Sequence, residues 1–219
     1  MKETNSKPST YHSEWQHNRI EFILSLHSPD FFKGKKILEL GSFNGYIGNY
    51  FAEVLESDVT SIEGRSENVS IIKNDYPLLK VECRDLDTPE WIFGKYDVII
   101  NFGLYYHLEN YHKEHLINCI NNCNLMFFET VVHDSFESEI FFRSESGNDQ
   151  SLSNKGGAPS TSYVENILKE SNCKFVKHCN SRLNGGAHHY DWEDRDSKVA
   201  DGHARRFWVI ENETDFTPG

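Results

Sequence analysis

The stretch Lys35-Lys36-Ile37-Leu38-Glu39-Leu40-Gly41-Ser42-Phe43-Asn44-Gly45-Tyr46-Ile47-Gly48 decides the fold. Ile37, Leu38 and Leu40 form a short apolar run of the kind that becomes a strand buried on both faces. The cluster after it, Gly41, Ser42, Asn44 and Gly45, is turn chemistry, and Ile47, Tyr50, Phe51, Val54 and Leu55 then recur at helical spacing. The segment therefore predicts a strand, a glycine turn and a helix running from Tyr46 to Leu55. Such a turn brings backbone close to a ligand and aims helix N–H groups at it, while Glu39 at the strand end can accept hydrogen bonds from a ligand amine or hydroxyl. These groups suit a nucleoside with polar substituents.

Downstream, strand and helix signals keep alternating. Val59 to Ile62 is a second β-rich run ending in Glu63, 22 residues after Gly41, where nucleoside-binding folds place an acid on the ribose hydroxyls. The alternative for Glu63 is an acid solvated at a turn. Glu67 to Asn74 reads as a helix and Leu79 to Cys83 as a third strand, with Asp85 and Leu86 behind it. Thr88-Pro89 reads as the cap and first turn of a short helix through Phe93. Tyr96 to Phe102 is the fourth strand, Leu125 to Val132 the fifth, Lys174 to Lys177 the sixth and Ala204 to Ile210 the last, with crossover lengths that suit a parallel sheet.

On these residues the chain resembles the class I S-adenosylmethionine-dependent methyltransferases. The family's first motif, acid-x-Gly-x-Gly-x-Gly, is matched at Glu39, Gly41 and Gly45, its ribose acid at Glu63, and its adenine-side acid at Asp85. Phe43 stands where the family has its middle glycine, so a ring occupies the place where the family's backbone nears the methionine part of the cofactor. The resemblance covers residues 35–135 well and the tail loosely. It implies an α/β, Rossmann-like seven-stranded sheet, mostly parallel with an antiparallel terminal hairpin. The implied cofactor is S-adenosyl-L-methionine, leaving as S-adenosyl-L-homocysteine. Glu39, Gly41, Ser42, Phe43, Asn44, Gly45, Glu63, Gly64, Arg65, Asp85, Leu86, Asn101, Phe102 and Gly103 are the positions it assigns to cofactor binding. The organisation it implies is an arm and helix over 1–34 and one domain over 35–219, with insertions at 144–160 and 180–203.

A narrower likeness lies in Gly103-Leu104-Tyr105-Tyr106-His107-Leu108 and Phe128-Glu129-Thr130-Val131-Val132. It resembles the tRNA wobble-uridine carboxymethyltransferases and their uncharacterised relatives, which share a Leu-Tyr-His element after strand four and a Glu-Thr at the end of strand five. That likeness implies that Tyr106 and His107 face the pocket. Histidine ordinarily titrates near neutrality, so His107 can serve as a general base with Tyr106 orienting a substrate oxygen; its other reading is a helix cap or packing group. Tyr105, Glu129, His133 and Asp134 stand near the same strand exits and join it as acceptor-side candidates. Of His107, His112 and His115 only the last two share a helical face, so no metal is expected.

The segment from Ser144 to Ser160, with Gly147, Gly156, Gly157 and Pro159, is too polar to build a core and reads as a flexible substrate loop or as plain surface. Between Asn180 and His203 lies Gly185-Gly186, then His188-His189-Tyr190-Asp191-Trp192, an insertion expected to fold back toward the pocket. His188 or His189 paired with Asp191 is the alternative general base, Tyr190 a substrate contact, and Arg205 or Arg206 a bidentate grip on an acidic substrate group. A solvated hairpin tip with ordinary strand arginines is the competing reading. At the other end a helix is expected from Ser13 to just before Ser28-Pro29, either as a lid formed by Tyr11, Trp15, His17 and Arg19 or as packing on the sheet.

With 219 residues the chain suits one well-buried domain with additions. A net charge of -12 argues against a broad phosphate-tracking surface, so nucleic acid is not the expected partner; a small or carrier-bound substrate is, and a homodimer is compatible. No apolar run is long enough for a membrane span and Met1 to Thr10 lacks the core of a signal peptide, which predicts a cytoplasmic protein. The five cysteines contain no C-x-x-C pair and are expected as free, mostly buried thiols. The expected reaction is in-line transfer of a sulfonium methyl to an oxygen or nitrogen of a small metabolite, sugar or peptide-like acceptor. The alternatives are a transferase using carboxy-S-adenosylmethionine and a non-catalytic nucleoside-binding module.

Overall fold

Apolar side chains alternate between the two faces of the central strands, and both faces are covered. A computed structural model describes residues 13–89, 94–147, 150–186, 189–192 and 204–212. Helix α1 (Ser13–Leu26) and the short α2 (Pro29–Phe32) lead into β1 (Lys36–Leu40), α3 (Tyr46–Glu53), β2 (Asp58–Glu63), α4 (Ser66–Asp75), β3 (Lys80–Cys83) and β4 (Tyr96–Phe102). After a 3-10 turn at Tyr105–His107 come α5 (His112–Asn121), β5 (Cys123–Val132), β6 (Ile140–Ser144), β7 (Lys155–Pro159), α6 (Thr161–Glu170), β8 (Lys174–His178) and β9 (Ala204–Glu211).

Seven strands form one sheet in the order β3-β2-β1-β4-β5-β9-β8. The first five pair in parallel, while β9 runs antiparallel to both β5 and β8. This is the expected Rossmann-like sheet with its terminal hairpin. The order reverses between β1 and β4, and in open α/β sheets a ligand crevice opens beyond the carboxyl ends at that point. Val98, Ile100 and Phe102 of β4 and Phe127 of β5 pack with Ile20, Ile23 and Phe51 in one cluster. Ile99, Met126, Phe128 and Trp208 pack with Leu116, Val164 and Leu168 in the other. Truncating a ring as fully buried as Phe127 costs about 3–5 kcal/mol.

Part of the segment 144–160 is strand: β7 pairs with the preceding β6 as an antiparallel ribbon outside the main sheet. Glycine allows this: a Cβ on Gly156 would lie 2.5 Å from the Tyr106 carbonyl oxygen, and one on Gly157 2.8 Å from the His112 ring. The Gly157 N–H donates to the Leu108 carbonyl at 2.9 Å and its own carbonyl lies 2.9 Å from His112 Nε2. Backbone contacts hold the ribbon, so hydropathy gave no sign of it.

Smaller differences follow from local packing. Strand β5 begins at Cys123, two residues before the predicted Leu125, and α3 ends at Glu53 rather than Leu55. The short helix expected from Thr88 to Phe93 lies largely outside the described residues. All five cysteines are free, but only Cys119 and Cys123 are buried; Cys173 and Cys179 are half-buried and Cys83 is exposed. No described helix is long and apolar enough to cross a membrane. Among the described residues no group of three His, Cys, Asp or Glu side chains is placed to hold a metal ion.

Candidate active site

The glycine turn is pinned from β2. Both the Gly41 and Ser42 N–H groups donate to the Ile62 carbonyl, at 2.9 and 3.1 Å. Gly41, Phe43 and Gly45 take φ values of 68°, 51° and 75°. Phe43 thus adopts the left-handed backbone that the family's middle glycine would favour, at a cost of about 1–2 kcal/mol for a residue with a Cβ. Its N–H donates to Glu63 Oε2 at 2.8 Å, and Glu63 Oε1 also accepts from the Arg65 N–H and from Asn68 Nδ2. A carboxylate offers about four acceptor positions, so three are filled and one remains for a ligand hydroxyl.

Glu39 does not reach the main cavity. Its carboxylate accepts from Ser61 Oγ at 2.6 Å and from the Gly48 N–H, and burial lifts its pKa to about 7 against the pull of those bonds. A Cβ on Gly48 would lie 2.3 Å from Glu39 Oε2, so this glycine makes room for the acid. Glu39 therefore fastens the start of α3 to β2, and with Ser42 it borders only a separate cleft of about 10 Å³, the room of one water. Asn44 Oδ1 accepts from the Tyr46 N–H and from Gln16 Nε2. Gly45 packs against Ile72, which a Cβ would approach to 2.9 Å.

Beyond the strand ends lies a cavity of about 380 Å³. Gly41, Phe43, Glu63, Gly64, Arg65, Asp85, Leu86, Phe102 and Gly103 of the predicted cofactor positions line it, together with Tyr106, His107, Tyr190 and Arg205. Trp15 of α1 borders the cavity. Its proposed lid partners do not: His17 faces Tyr46 and Glu21, Arg19 is fully buried, and Tyr11 lies outside the described residues.

One wall is the turn Gln150–Ser153 between β6 and β7, inside the segment read as a substrate loop or as plain surface. Arg65 Nη2 lies 2.9 Å from the Gln150 carbonyl and 3.1 Å from that of Ser151, tying this turn to the exit of β2. Sequence reading missed Asp87, whose carboxylate accepts from the Glu109, Asn110 and Tyr111 N–H groups and fixes the chain before α5.

Most important among the missed residues is Glu145, at the end of β6. Its Oε2 lies 2.6 Å from His107 Nδ1 and also accepts from the Ser151 N–H at 3.1 Å, while Oε1 accepts from Arg143 Nε at 3.3 Å. The Glu145 side chain is 2% exposed and that of His107 12%. Burial pushes the Glu145 carboxyl up, but the His107, Ser151 and Arg143 interactions outweigh it and hold the group below its ordinary value. Gly156 leaves the necessary space, since a Cβ there would meet the Glu145 carboxyl carbon at 2.8 Å.

Arg205 of β9 reaches the cavity from below. Nη1 donates to Glu129 Oε1 at 2.7 Å, and Nη2 donates to the hydroxyls of Tyr106 at 2.9 Å and Tyr190 at 3.2 Å. The guanidinium also lies 4.1 Å from the Tyr190 ring centre. Glu129 accepts a second cation, Arg19 Nε, at 3.0 Å, and all three side chains are at most 1% exposed. Burial opposes ionisation of Glu129, yet the two guanidinium groups hold its pKa below the ordinary value. Burial raises the Tyr106 phenol to about 12, so it stays protonated at neutral pH.

Several acceptor-side candidates, and the cofactor candidate Asn101, do not line this cavity. Tyr105 is buried, its hydroxyl donating to the His112 carbonyl. Asn101 is buried against His115 Nε2 at 3.0 Å, and burial drives His115 down to about 3. Glu129 is fully buried between Arg19 and Arg205 and does not line the cavity. Arg206 points away from Arg205 along the alternating strand and donates to the Asp191 carbonyl. His133 lies near Glu139 and stacks on Phe141, outside the cavity. His189 is exposed, Asp191 meets β9 through its bridge to Ala204 and through its carbonyl, which accepts from the Arg205 N–H, and His188 lies outside the described residues. Among the described residues a buried carboxylate meets a cavity histidine at His107 and Glu145. The insertion does fold back: the Leu183 carbonyl accepts from Arg19 Nη1, and Tyr190 reaches the cavity.

No protein-family model and no curated protein matches the sequence. Solved structures do match the fold. The N-terminal domain of EvdMO1, crystallised in the presence of SAH and D-fucose, shares 14% identity at a TM-score of 0.66, over 93% of this chain and 84% of that one. A S-adenosylmethionine-dependent methyltransferase from Clostridium acetobutylicum matches at 12% identity and TM-score 0.59, covering 93% of each chain. The plantazolicin methyltransferase BamL, in complex with a triazolic desmethylPZN analog and SAH, matches at 14% and 0.58, over 92% and 86%. The chain has the class I methyltransferase fold.

Proposed function

We propose that this protein is an S-adenosylmethionine-dependent methyltransferase acting on an oxygen or nitrogen of a small or carrier-bound acceptor. The observation that carries the reading is the His107–Glu145 pair, which faces the same cavity as the left-handed Gly41–Phe43 turn and Glu63. The residues fit the cofactor. A Cβ on Gly41 would sit 3.0 Å from Leu104, so the turn leaves its backbone open to the cavity, and Glu63 keeps acceptor capacity for a hydroxyl. Glu63 and Asp85 would hold the nucleoside end, and Gly41, Phe43 and Trp15 the amino-acid end. When bound, the cofactor supplies an electrophilic methyl on a sulfonium, so the protein needs to position the acceptor and take its proton.

His107 takes that proton. The Glu145 carboxylate accepts from Nδ1–H, which fixes the tautomer with Nε2 as the basic nitrogen and stabilises the imidazolium that forms. Cavity size favours a small acceptor, because sites of about 300–1,000 Å³ suit small ligands and the cofactor fills much of this one. The likeness to the tRNA wobble-uridine carboxymethyltransferases stays one of local sequence, and the net charge of -12 speaks against a tRNA acceptor.

Calorimetric titration of S-adenosylmethionine and S-adenosylhomocysteine into wild type and Glu63→Gln tests the reading. Micromolar binding that weakens at least about tenfold in the variant, ~1.4 kcal/mol, supports it. No binding of either ligand refutes it.

A further inference from the structure

Among the described residues, the buried cluster that Arg205 extends to the cavity holds one more cation than carboxylate. Arg19 and Arg205 share a single carboxylate, Glu129, and all three are buried, so the cluster holds a net charge of +1. The other charged pair nearby, Arg143 with Glu145, is balanced. An uncompensated cation removed from water is costly unless an anion reaches it. Arg19 Nη2 and Arg205 Nε also lack an acceptor among the described residues. Arg205 lines the cavity, and its Nη2 donates to the Tyr106 hydroxyl, which leaves the Tyr106 O–H proton as a donor for a ligand. Tyr106 and His107 are neighbours with ring centres 4.0 Å apart, so a group held there lies beside the base.

Resting on the methyltransferase reading, we infer that the acceptor is a carboxylate-bearing small molecule whose anionic group is held by Arg205 and the Tyr106 hydroxyl while its nucleophile faces His107. One excess charge matches a monoanion better than a phosphate dianion. In a protein of net charge -12 this cluster is locally cationic, which favours anionic acceptors over neutral ones. The same carboxylate chemistry is present in the amino-acid part of the cofactor, so the test separates the two sources.

The probes are benzoate and its uncharged counterpart benzamide, titrated into protein saturated with S-adenosylhomocysteine. Benzoate is expected to bind at least about tenfold more tightly than benzamide, ~1.4 kcal/mol, and Tyr106→Phe to weaken benzoate while narrowing that preference. Arg205→Gln, which leaves Arg19 and Glu129 as a balanced pair, is expected to abolish the preference. If Arg205→Gln fails to fold, the isosteric Tyr106→Phe still decides. Equal binding of the two probes, no saturable binding of benzoate, or a preference that survives in Tyr106→Phe overturns the proposal. So does a loss of S-adenosylhomocysteine affinity in Tyr106→Phe without a matching loss for 5′-methylthioadenosine, which would assign the carboxylate to the cofactor. Absence of S-adenosylhomocysteine binding overturns the methyltransferase reading and this proposal with it; binding without benzoate discrimination overturns this one alone.

Discussion

Neutralising Glu129 should expose how much the buried charge cluster contributes to stability. In Glu129→Gln the shape is kept, but two charge-assisted contacts, 3.0 Å to Arg19 and 2.7 Å to Arg205, lose their anion. Two guanidinium groups then face each other in the interior. Breaking a buried ion pair from one side typically costs about 3–5 kcal/mol. At about 2–4 °C per kcal/mol for a chain of this size, that is a fall of ~6–20 °C in melting temperature. The pH dependence has a definite sign. Glu129 is held below its ordinary value, so its contribution is present above the unfolded carboxyl pKa and is lost as pH falls through the lower folded one. Urea unfolding of wild type and variant from pH 8 down to 4 should therefore show a constant gap that closes only at the acid end, below about 4.3. A gap under ~1 kcal/mol at neutral pH, or one that widens on acidification, would refute the reasoning.

Two further outcomes follow from the same geometry. His107→Gln removes a major group holding Glu145 down, so the Glu145 carboxyl should titrate at higher pH in carbon-detected NMR than in the wild type; an unmoved carboxyl would mean that the pair is not formed. Gly41→Ala forces a Cβ into a left-handed turn and to 3.0 Å from Leu104, which should lower urea stability by about 1–2 kcal/mol and weaken S-adenosylhomocysteine binding.

The strand-turn-helix unit at Lys36–Glu53, the spacing from Gly41 to Glu63 and the sheet class were all legible, because they rest on apolar periodicity and glycine placement. Local order also reveals which residues leave a strand end, and so His107, Tyr106 and Asp85 reach the cavity as expected. What sequence order does not carry is pairing at a distance. Glu145 meets His107 across 38 positions, and Arg19 meets Glu129 across 110. Glu145 sits in a stretch whose local signal was only polar, and Glu129 was marked as an acceptor-side residue rather than as the partner of two buried arginines. Glu39 shows the reverse: its place in a motif suggested a ligand contact, while its carboxylate lies outside the main cavity, bonded to Ser61 and Gly48. The Gly156-Gly157 pair was read as looseness, whereas the absence of side chains there is what permits close backbone contact.

The β6–β7 ribbon can be regarded as an exchangeable cassette. Between Glu145 and Ser153, a span of nine residues, it supplies both the carboxylate that orients His107 and one wall of the cavity. It belongs to no part of the seven-stranded sheet. Its turn also meets Arg65 at the exit of β2, so replacing this one hairpin would change the partner of His107 and the wall beside Glu63 together while leaving the sheet itself intact.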